Sequence, residues 1–196
     1  GLMNEIGEWV LNQACRQAAL WRRQGLMLSE LAVNVSGLQL ADAGFTDKVA
    51  RALAGSGLPA QTLVLELTES VLIHENDAAM KQLLALKALG LRLALDDFGT
   101  GYSSMLSIAR LPFDIIKIDR SFVQSAPEQG APAAVVEAII ALATRLGMNT
   151  VAEGIETEAQ RLHLVKLGCT MAQGYLFARP CAAREVELLL TRPAPV

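Results

Sequence analysis

Short apolar runs alternate with longer segments of helical period along this chain. The apolar runs predict strands at residues 31–35, 63–67, 115–119, 150–153 and 171–177, and a further strand that ends at Asp96. The helical periods predict helices at residues 2–21, 45–53, 76–89, 131–146 and 156–167, and a last helix that begins near Ala183. Helices that separate successive apolar strands are typical of a parallel sheet with helices packed on its faces.

Two of the predicted helices have a marked apolar face. In the first helix this face holds Leu2, Ile6, Trp9 and Val10. In the helix at 131–146 it holds Val135, Ile139, Leu142 and Leu146. Gly147 follows that helix directly and is suited to its C-cap, because glycine adopts the left-handed conformation easily.

Two α/β architectures fit this alternation, a (β/α) barrel and an open doubly wound sheet. No linker rich in proline and serine divides the chain, so we expect a single domain over residues 1–196. The glycine-rich fingerprint of dinucleotide-binding folds is absent, because the stretch Gly99-Thr100-Gly101 lacks the third glycine at the required spacing.

Polar residues at the ends of the predicted strands favour the barrel. One such residue falls within or just after each strand: Asn34, Glu66, Asp96, Lys117, Glu153 and Gln173. The carboxyl ends of barrel strands converge on one face, where active sites are built, whereas an open sheet spreads them along a line. We therefore expect an α/β fold of the (β/α) barrel type.

Composition narrows the classes of function. Of the 196 residues 52% are hydrophobic and 19% charged, and the net charge is −3, so the chain has no basic footprint for polymeric DNA or RNA. A small phosphate ligand held through metal ions remains compatible with this charge. The three widely spaced cysteines indicate a reducing compartment, and the two histidines leave few parts for a histidine-based metal site or triad.

The polar groups at the strand ends are hard oxygen donors with one lysine. Carboxylates and a carboxamide suit Mg²⁺ or Mn²⁺ and are poor ligands for zinc or copper. Asp96 and Asp97 are adjacent and point to opposite sides of a regular strand, but at a strand end the backbone turns and the pair can reach two metals about 3.5–4 Å apart. Lys117 would then orient a water or neutralise a phosphate oxygen, with Asp119 on the same side of its strand.

Structural roles are open for the same residues. A carboxylate at a strand end is often a helix cap, so Asp97 could cap a helix that starts near Tyr102. Lys117 could be a structural ion-pair partner. Glu156 lies in the first turn of its helix, where it suits the helix dipole.

The ordered motifs resemble those of EAL domains, the cyclic di-GMP phosphodiesterases of bacteria. The matching stretches are Val33-Asn34-Val35-Ser36, Glu66-Leu67-Thr68-Glu69-Ser70, the run from Asp96 to Ser104, Leu111-Pro112, Lys117-Ile118-Asp119-Arg120-Ser121-Phe122-Val123, Ala152-Glu153-Gly154-Ile155-Glu156 and Gln173-Gly174-Tyr175. The resemblance covers essentially the whole chain. It implies an α/β fold of the (β/α)8 TIM-barrel type, with about six of the eight strands present in this chain. It also implies hydrolysis of cyclic di-GMP to linear pGpG with two Mg²⁺ or Mn²⁺ ions, and inhibition of this reaction by calcium.

The resemblance also assigns roles residue by residue. It implies metal ligands at Asn34, Glu66, Asp96, Asp97 and Glu153, of which Glu66, Asp96 and Glu153 are expected to act in catalysis together with Lys117. It implies substrate contacts at Gln173, Asp119 and Arg120. Glu69 matches the glutamate that anchors the loop after Asp97, Glu156 is expected to support the metal ligands, and the loop at 98–104 is expected to contribute to a homodimer.

One departure from the family pattern concerns the tripeptide Glu-Ala-Leu, which occurs nowhere in this sequence. In relatives it lies on a strand upstream of the first helix seen here, so we expect this chain to be a fragment that lacks two N-terminal strands and is inactive alone. The parent is expected to be a cytoplasmic enzyme, attached to sensory or GGDEF domains and anchored to a membrane, if at all, through another domain. The alternatives are a non-hydrolysing cyclic di-GMP receptor or interaction module and, more remotely, another divalent-metal barrel enzyme acting on phosphate esters.

Overall fold

The computed structural model of the chain describes residues 2–69, 77–99, 105–125 and 130–191. The strands are β1 (Leu31–Val35), β2 (Leu63–Thr68), β3 (Arg92–Phe98), β4 (Ile115–Ile118), β5 (Asn149–Ala152) and β6 (Met171–Ala172). The helices are α1 (Leu2–Arg23), α2 (Gly37–Leu40), α3 (Phe45–Ser56), α4 (Asp77–Ala88), α5 (Met105–Arg110), α6 (Arg120–Ser125), α7 (Ala131–Leu146), α8 (Glu158–Lys166) and α9 (Ala183–Leu190), and a 3₁₀ turn spans Ala60–Thr62.

The six strands form one sheet in chain order, from β1 to β6. Strands β3 to β6 pair in parallel, with Ile115 opposite Asn149 and Val151 opposite Met171. Parallel neighbours joined by helices are the arrangement that the alternation of apolar runs and helical segments predicts. Among the described residues, none of the helices combines the length and the apolar character needed to cross a bilayer.

The chain divides into two compact units. The first comprises Gly1–Glu66, Asn76–Arg92 and Pro180–Val196, and the second comprises Leu67–Glu75 and Leu93–Arg179. The prediction of a single domain over residues 1–196 stays a prediction.

In the first unit, α1 packs on α2, α3 and β1. The buried side of α1 carries Leu11, Cys15, Ala18, Ala19 and Trp21. The apolar face predicted for this helix is a different one, since Leu2, Ile6, Trp9 and Val10 are all exposed. The indole N–H of Trp21 donates to Glu187 of α9 over 3.0 Å, which ties the C-terminal helix to α1.

In the second unit, side chains fix the beginnings of the strands. The Leu93 N–H donates to the Asp114 carboxylate over 2.8 Å, and the Asn149 N–H donates to the Asp114 carbonyl over 2.9 Å. Thr150 and Thr170 exchange hydrogen bonds at the start of β5 and β6, including two of 2.8 Å. The strand starts are thus held in register, and the strand ends carry the polar residues.

Two predicted features of this unit are wrong. The buried face of α7 is Val136, Ile139, Ile140 and Ala143, shifted from the predicted stripe so that Val135 is exposed. The last strand stops at Ala172 instead of continuing to 177, because the chain turns at Gly174 and Phe177 donates its N–H back to the Gly174 carbonyl. The predicted C-cap is confirmed, since Gly147 has a φ of 71° and donates its N–H to Ala143.

Candidate metal centre

Strand β3 contains one extra residue at the position of the two aspartates. Leu95 lies opposite Ile116 and Phe98 opposite Ile118, so β3 advances three residues where β4 advances two. This is a β-bulge, in which the extra residue interrupts the alternation of side chains. Asp97 has a φ of 54°, and it is the only non-glycine residue with a positive φ among the described residues.

The bulge resolves the conflict between two adjacent carboxylates that must face one site. Oxygen atoms of Asp96, Asp97 and Glu153 all lie within 4.8 Å of one another. Asp96 also accepts a hydrogen bond from the N–H of Asp97 over 3.0 Å, which fixes the turn between the two residues. Three carboxylates from the ends of two strands therefore converge, and their oxygen donors are the kind that a hard divalent cation takes.

Lys117 lies at the centre of this cluster. Its Nζ atom is 2.9 Å from Asp96 Oδ1 and 2.7 Å from Glu153 Oε1, and the lysine side chain is 5% exposed. Lys117 lies on β4, between β3, which contains Asp96, and β5, which precedes Glu153, so the sheet order itself places it between the two carboxylates. Lys117 therefore forms an ion pair with each of the two carboxylates, and whether its role is structural or catalytic stays a prediction.

Two aspartates at this site, Asp97 and Asp119, have pKa values that are shifted in opposite directions. Burial raises the pKa of Asp97 above its ordinary value, and the neighbouring charges of Asp96 and Asp119 raise it further, whereas Lys117 lowers it. The pKa of Asp119 is lowered: burial raises it, but hydrogen bonds from Ser121 and from the backbone of Arg120 outweigh that effect. Asp119 accepts from both the N–H and the hydroxyl of Ser121 and so also caps the start of α6.

Glu69 lies close to the end of β3. It is buried, and its Oε2 atom accepts a hydrogen bond from the Gly99 N–H over 3.4 Å. This contact reaches the first residue after β3, as expected for a glutamate that anchors the following loop. Residues 100–104, which contain the rest of that loop and the predicted dimer contact, lie outside the described residues, as does the predicted start of a helix near Tyr102.

The remaining predicted site residues lie at the ends of other strands. Asn34 is exposed at the end of β1 and Glu66 is buried in β2; both belong to the first unit, and their place among the ligands stays a prediction. In the second unit Gln173 follows β6, and Arg120 begins α6. Glu156 precedes α8, which begins at Glu158, and its N–H donates to Gln160 over 2.9 Å.

The sequence interpretation gave no role to the glycines that follow two of these residues, Gly154 and Gly174. A Cβ on Gly154 would lie 2.5 Å from the Cβ of Arg120. A Cβ on Gly174 would overlap the backbone of Ile155. The available signal was a glycine directly after a candidate ligand, in Glu153-Gly154 and again in Gln173-Gly174.

Known proteins share both the sequence and the fold. The EAL domain family model matches residues 1–180. The chain is 46% identical over 186 residues to the bifunctional diguanylate cyclase/cyclic di-GMP phosphodiesterase MucR of Pseudomonas aeruginosa, covering 95% of this chain and 27% of that protein. It is 40% identical over 190 residues to the cyclic di-GMP phosphodiesterase NbdA of the same organism, covering 97% of this chain and 24% of that protein.

A solved structure agrees with these relatives. The PaMucR phosphodiesterase in complex with c-di-GMP matches with a TM-score of 0.90 at 46% identity, over 95% of this chain and 75% of that chain. The predicted fold class, an α/β fold of the TIM-barrel type with six strands, is thereby confirmed. The chain spans about a quarter of the length of the two curated relatives.

Proposed function

The chain belongs to the EAL domain family, and from this membership we propose that the intact protein hydrolyses cyclic di-GMP to linear pGpG with divalent metal ions. The observation that carries the proposal is the convergence of Asp96, Asp97 and Glu153 around the buried Lys117. A carboxylate cluster of this kind, which can hold divalent cations, is suited to phosphodiester chemistry. MucR and NbdA, which carry phosphodiesterase names, support the same substrate class.

The donor set of the site fits Mg²⁺ or Mn²⁺. Asp96, Asp97 and Glu153 would hold the ions, and we propose that two ions bind and that Asn34 and Glu66 are further ligands. Bound there, the cations would supply Lewis-acid stabilisation of the charge that develops on the phosphate oxygens. Calcium is expected to occupy the site and inhibit, because it prefers longer bonds and a looser geometry than magnesium.

The protein's own side chains would orient the ligands, accept a proton and contact the substrate. The carboxylates of Asp96 and Glu153 accept hydrogen bonds from Lys117 Nζ, which fixes their orientation. A carboxylate in this arrangement can accept the proton of the attacking water, while the ammonium group faces the developing charge on the phosphate. Gln173, Asp119 and Arg120 are proposed to contact the substrate, and Glu69 and Glu156 to support the loops beside the site.

The test is turnover by the intact protein. Cyclic di-GMP is incubated with Mg²⁺ or Mn²⁺, and pGpG is separated and quantified by liquid chromatography. We expect turnover that disappears with EDTA and falls at least about a hundredfold in Glu153→Gln, in line with the loss of a carboxylate that acts in catalysis. Glu137→Gln is the matched control, because Glu137 is an exposed glutamate on α7.

Two outcomes would redirect the proposal. Binding of cyclic di-GMP by the intact protein without turnover would establish the receptor reading and contradict hydrolysis. Full activity in Glu153→Gln would contradict the assignment of the site. Inactivity of the 196-residue chain by itself is a separate prediction, checked by the same assay on that chain.

The setting of the domain is also proposed. We expect a homodimer, which light scattering would detect, and attachment to GGDEF or sensory domains, in keeping with the bifunctional name of MucR. A cytoplasmic location follows from the proposed substrate, an intracellular second messenger, and fractionation of cells that express the tagged intact protein would test it.

A further inference from the structure

Glu153 lies on a short segment whose backbone is held on both sides. On one side its N–H donates to the Ile118 carbonyl over 3.1 Å. On the other side the N–H of Ile155 donates to the Gln173 carbonyl over 3.1 Å, and the Ile155 carbonyl accepts from Leu176 over 3.0 Å. Ile155 is fully buried, so this anchor is also packed into the core. The segment between these anchors has little freedom to shift.

Gly154 lies where this segment packs closely against Arg120. Its φ is 68°, and a Cβ there would lie 2.5 Å from the Cβ of Arg120 and 3.4 Å from its Cα. The near neighbours are the fixed base of the Arg120 side chain and its backbone, which cannot swing aside as the end of a long side chain can. A side chain at 154 therefore requires the backbone to move, and Glu153 is the adjacent residue.

Gly174, in the loop after β6, packs against the backbone of the same segment at Ile155. Its N-terminal neighbour Gln173 donates its N–H to the Ala152 carbonyl over 2.8 Å and accepts from Ile155. A Cβ at 174 would overlap the Ile155 backbone, so the loop after β6 can lie against the loop after β5 only because 174 is glycine. The two loops are thus packed backbone against backbone directly beside the carboxylate cluster.

We propose that Gly154 is a positioning residue for the metal centre. Its lack of a side chain lets the chain pass over Arg120 and brings the Glu153 carboxylate within reach of Lys117 and of the two aspartates, and Gly174 closes the segment from the other side. The proposal rests on the proposed function in one respect, the assignment of a cation to the cluster. Gly154 acts through Glu153 and touches neither cation nor substrate itself.

The chain offers a matched control for Gly154→Ala. Gly147 has a φ of 71°, close to the 68° of Gly154, and a Cβ there would meet nothing within 4 Å. Alanine at either position carries the same left-handed backbone strain, but only alanine at 154 meets Arg120. A difference between the two variants therefore reports the contact and not the strain.

The measurement is the affinity of the intact protein for Mn²⁺, titrated by electron paramagnetic resonance without substrate. We expect Gly154→Ala to weaken Mn²⁺ binding about tenfold or more, the loss typical when the support of a ligand is disturbed, and Gly147→Ala to leave it unchanged. Equal affinities in the two variants, or no Mn²⁺ binding by the unaltered protein, would overturn the proposal.

A rescue experiment covers the case in which Gly154→Ala does not fold. Arg120→Gly removes the Cβ that an alanine at 154 would strike, so Mn²⁺ should bind the double variant as tightly as it binds Arg120→Gly alone. Weaker binding by the double variant would contradict the steric argument. Because no substrate is present, Mn²⁺ binding with the expected order of affinities but no pGpG formation would refute only the proposed hydrolysis.

Discussion

Asp97 combines two features that destabilise a folded chain. Its backbone is left-handed, with a φ of 54°, and its carboxylate is partly buried beside Asp96 and Asp119, which raises its pKa. Strained residues with unfavourable charges persist where the surrounding structure enforces them, and they concentrate at functional sites. The strained backbone of Asp97 is part of the β-bulge, and this bulge turns two adjacent carboxylates toward one centre.

Replacing Asp97 by asparagine should separate these effects. A raised pKa in the folded state means that ionisation opposes folding, so the stability present at low pH is lost as the pH rises through that pKa. Asparagine stays neutral and tolerates the left-handed region. We expect Asp97→Asn to raise the melting temperature by a few degrees in EDTA near pH 7 and to weaken Mn²⁺ binding about tenfold or more.

Thermal unfolding in EDTA and Mn²⁺ titration check this pair of opposite effects. Glu137→Gln, which also removes one negative charge but from an exposed position on α7, should change neither. A lower melting temperature in EDTA for Asp97→Asn would show that Asp97 supports the metal-free fold.

The cysteines give a second prediction at this scale. Burial raises the pKa of Cys15 to about 11, whereas Cys181 is exposed. At pH 8 only about one Cys15 thiol in a thousand is ionised, and the thiolate is the reactive form. Iodoacetamide should therefore modify Cys181 quickly and Cys15 only after unfolding in urea, as measured by peptide mass spectrometry. Rapid alkylation of native Cys15 would contradict its burial.

The raised pKa of Cys15 also makes the stability of the fold depend on pH. Because the pKa of Cys15 is raised in the folded state, the thiol stabilises the fold fully below its unfolded pKa of about 8.5. This contribution should decline as the pH rises from 9 toward the folded value of about 11. Cys15→Ser is unsuited as a control, since it buries a hydroxyl; Cys15→Ala should remove the pH dependence.

At the scale of elements, periodicity predicted the elements well and their ends less well. Strand β1 and helix α7 have the predicted bounds; β1 is a short, mostly apolar run, and α7 is flanked by Gly130 and Gly147 at its two caps. Helix α8 begins at Glu158 instead of 156, because the capping box of Thr157 and Gln160 sets its start. A capping box of Ser36 and Gln39 likewise marks the start of α2, a helix that the apolar pattern did not predict.

The bulge in β3 could not be predicted from the sequence. A bulge is a mismatch of register between two strands, and the residues of β3 alone carry no information about how β4 lies beside them. The apolar pattern placed Asp96 and Asp97 at a strand end, but the strand continues through both residues to Phe98. The left-handed turn at Asp97 follows from that pairing.

Lys117 on β4 forms ion pairs with Asp96 of β3 and with Glu153, which follows β5. Its loss should therefore lower the free energy of unfolding. Lys117→Met keeps the length of the buried side chain but leaves Asp96 and Glu153 without their shared cation. Breaking a buried ion pair by removing one partner destabilises by about 3–5 kcal/mol. We expect a loss of this size in EDTA, measured by urea denaturation, and partial recovery with Mn²⁺, which supplies the missing positive charge.

Lys166→Met is the matched control for that experiment, because Lys166 is exposed in the last turn of α8. Surface substitutions of this kind change stability by about 0.5 kcal/mol or less. An equal loss in the two variants would indicate that the ion pairs of Lys117 contribute nothing specific.

At the scale of the whole molecule, the sequence predicted that polar side chains from several strand ends lie together, but not all of their arrangement. The rule that strand ends converge placed Asp96, Lys117 and Glu153 together, and the structure confirms that group. Asn34 and Glu66 follow the same rule but lie in the other unit, so their role as ligands is still a prediction. The glycines that shape the loops were missed, because their function depends on a contact between segments far apart in the sequence.

A bound metal should stabilise the molecule by an amount that grows with the logarithm of the metal concentration above its Kd. Without a cation, the cluster of Asp96, Asp97 and Glu153 holds three carboxylates around one lysine, so binding of Mn²⁺ to the folded form removes repulsion that the unfolded form lacks. A ligand at a hundred times its Kd adds about 2.7 kcal/mol, which for a domain of this size raises the melting temperature by about 5–10 °C. We expect this rise with Mn²⁺ by differential scanning calorimetry and its reversal by EDTA.

Glu153→Gln separates site binding from a general effect of salt. It removes one carboxylate of the cluster, so the rise in melting temperature at the same Mn²⁺ concentration should shrink, while Glu137→Gln should retain all of it. Ca²⁺ should raise the melting temperature as well, since it takes the same oxygen donors, but it should not support pGpG formation. An equal rise in Glu153→Gln and in the unaltered protein would place the stabilising cation elsewhere, and the carboxylate cluster would then be an ion-pair network around Lys117.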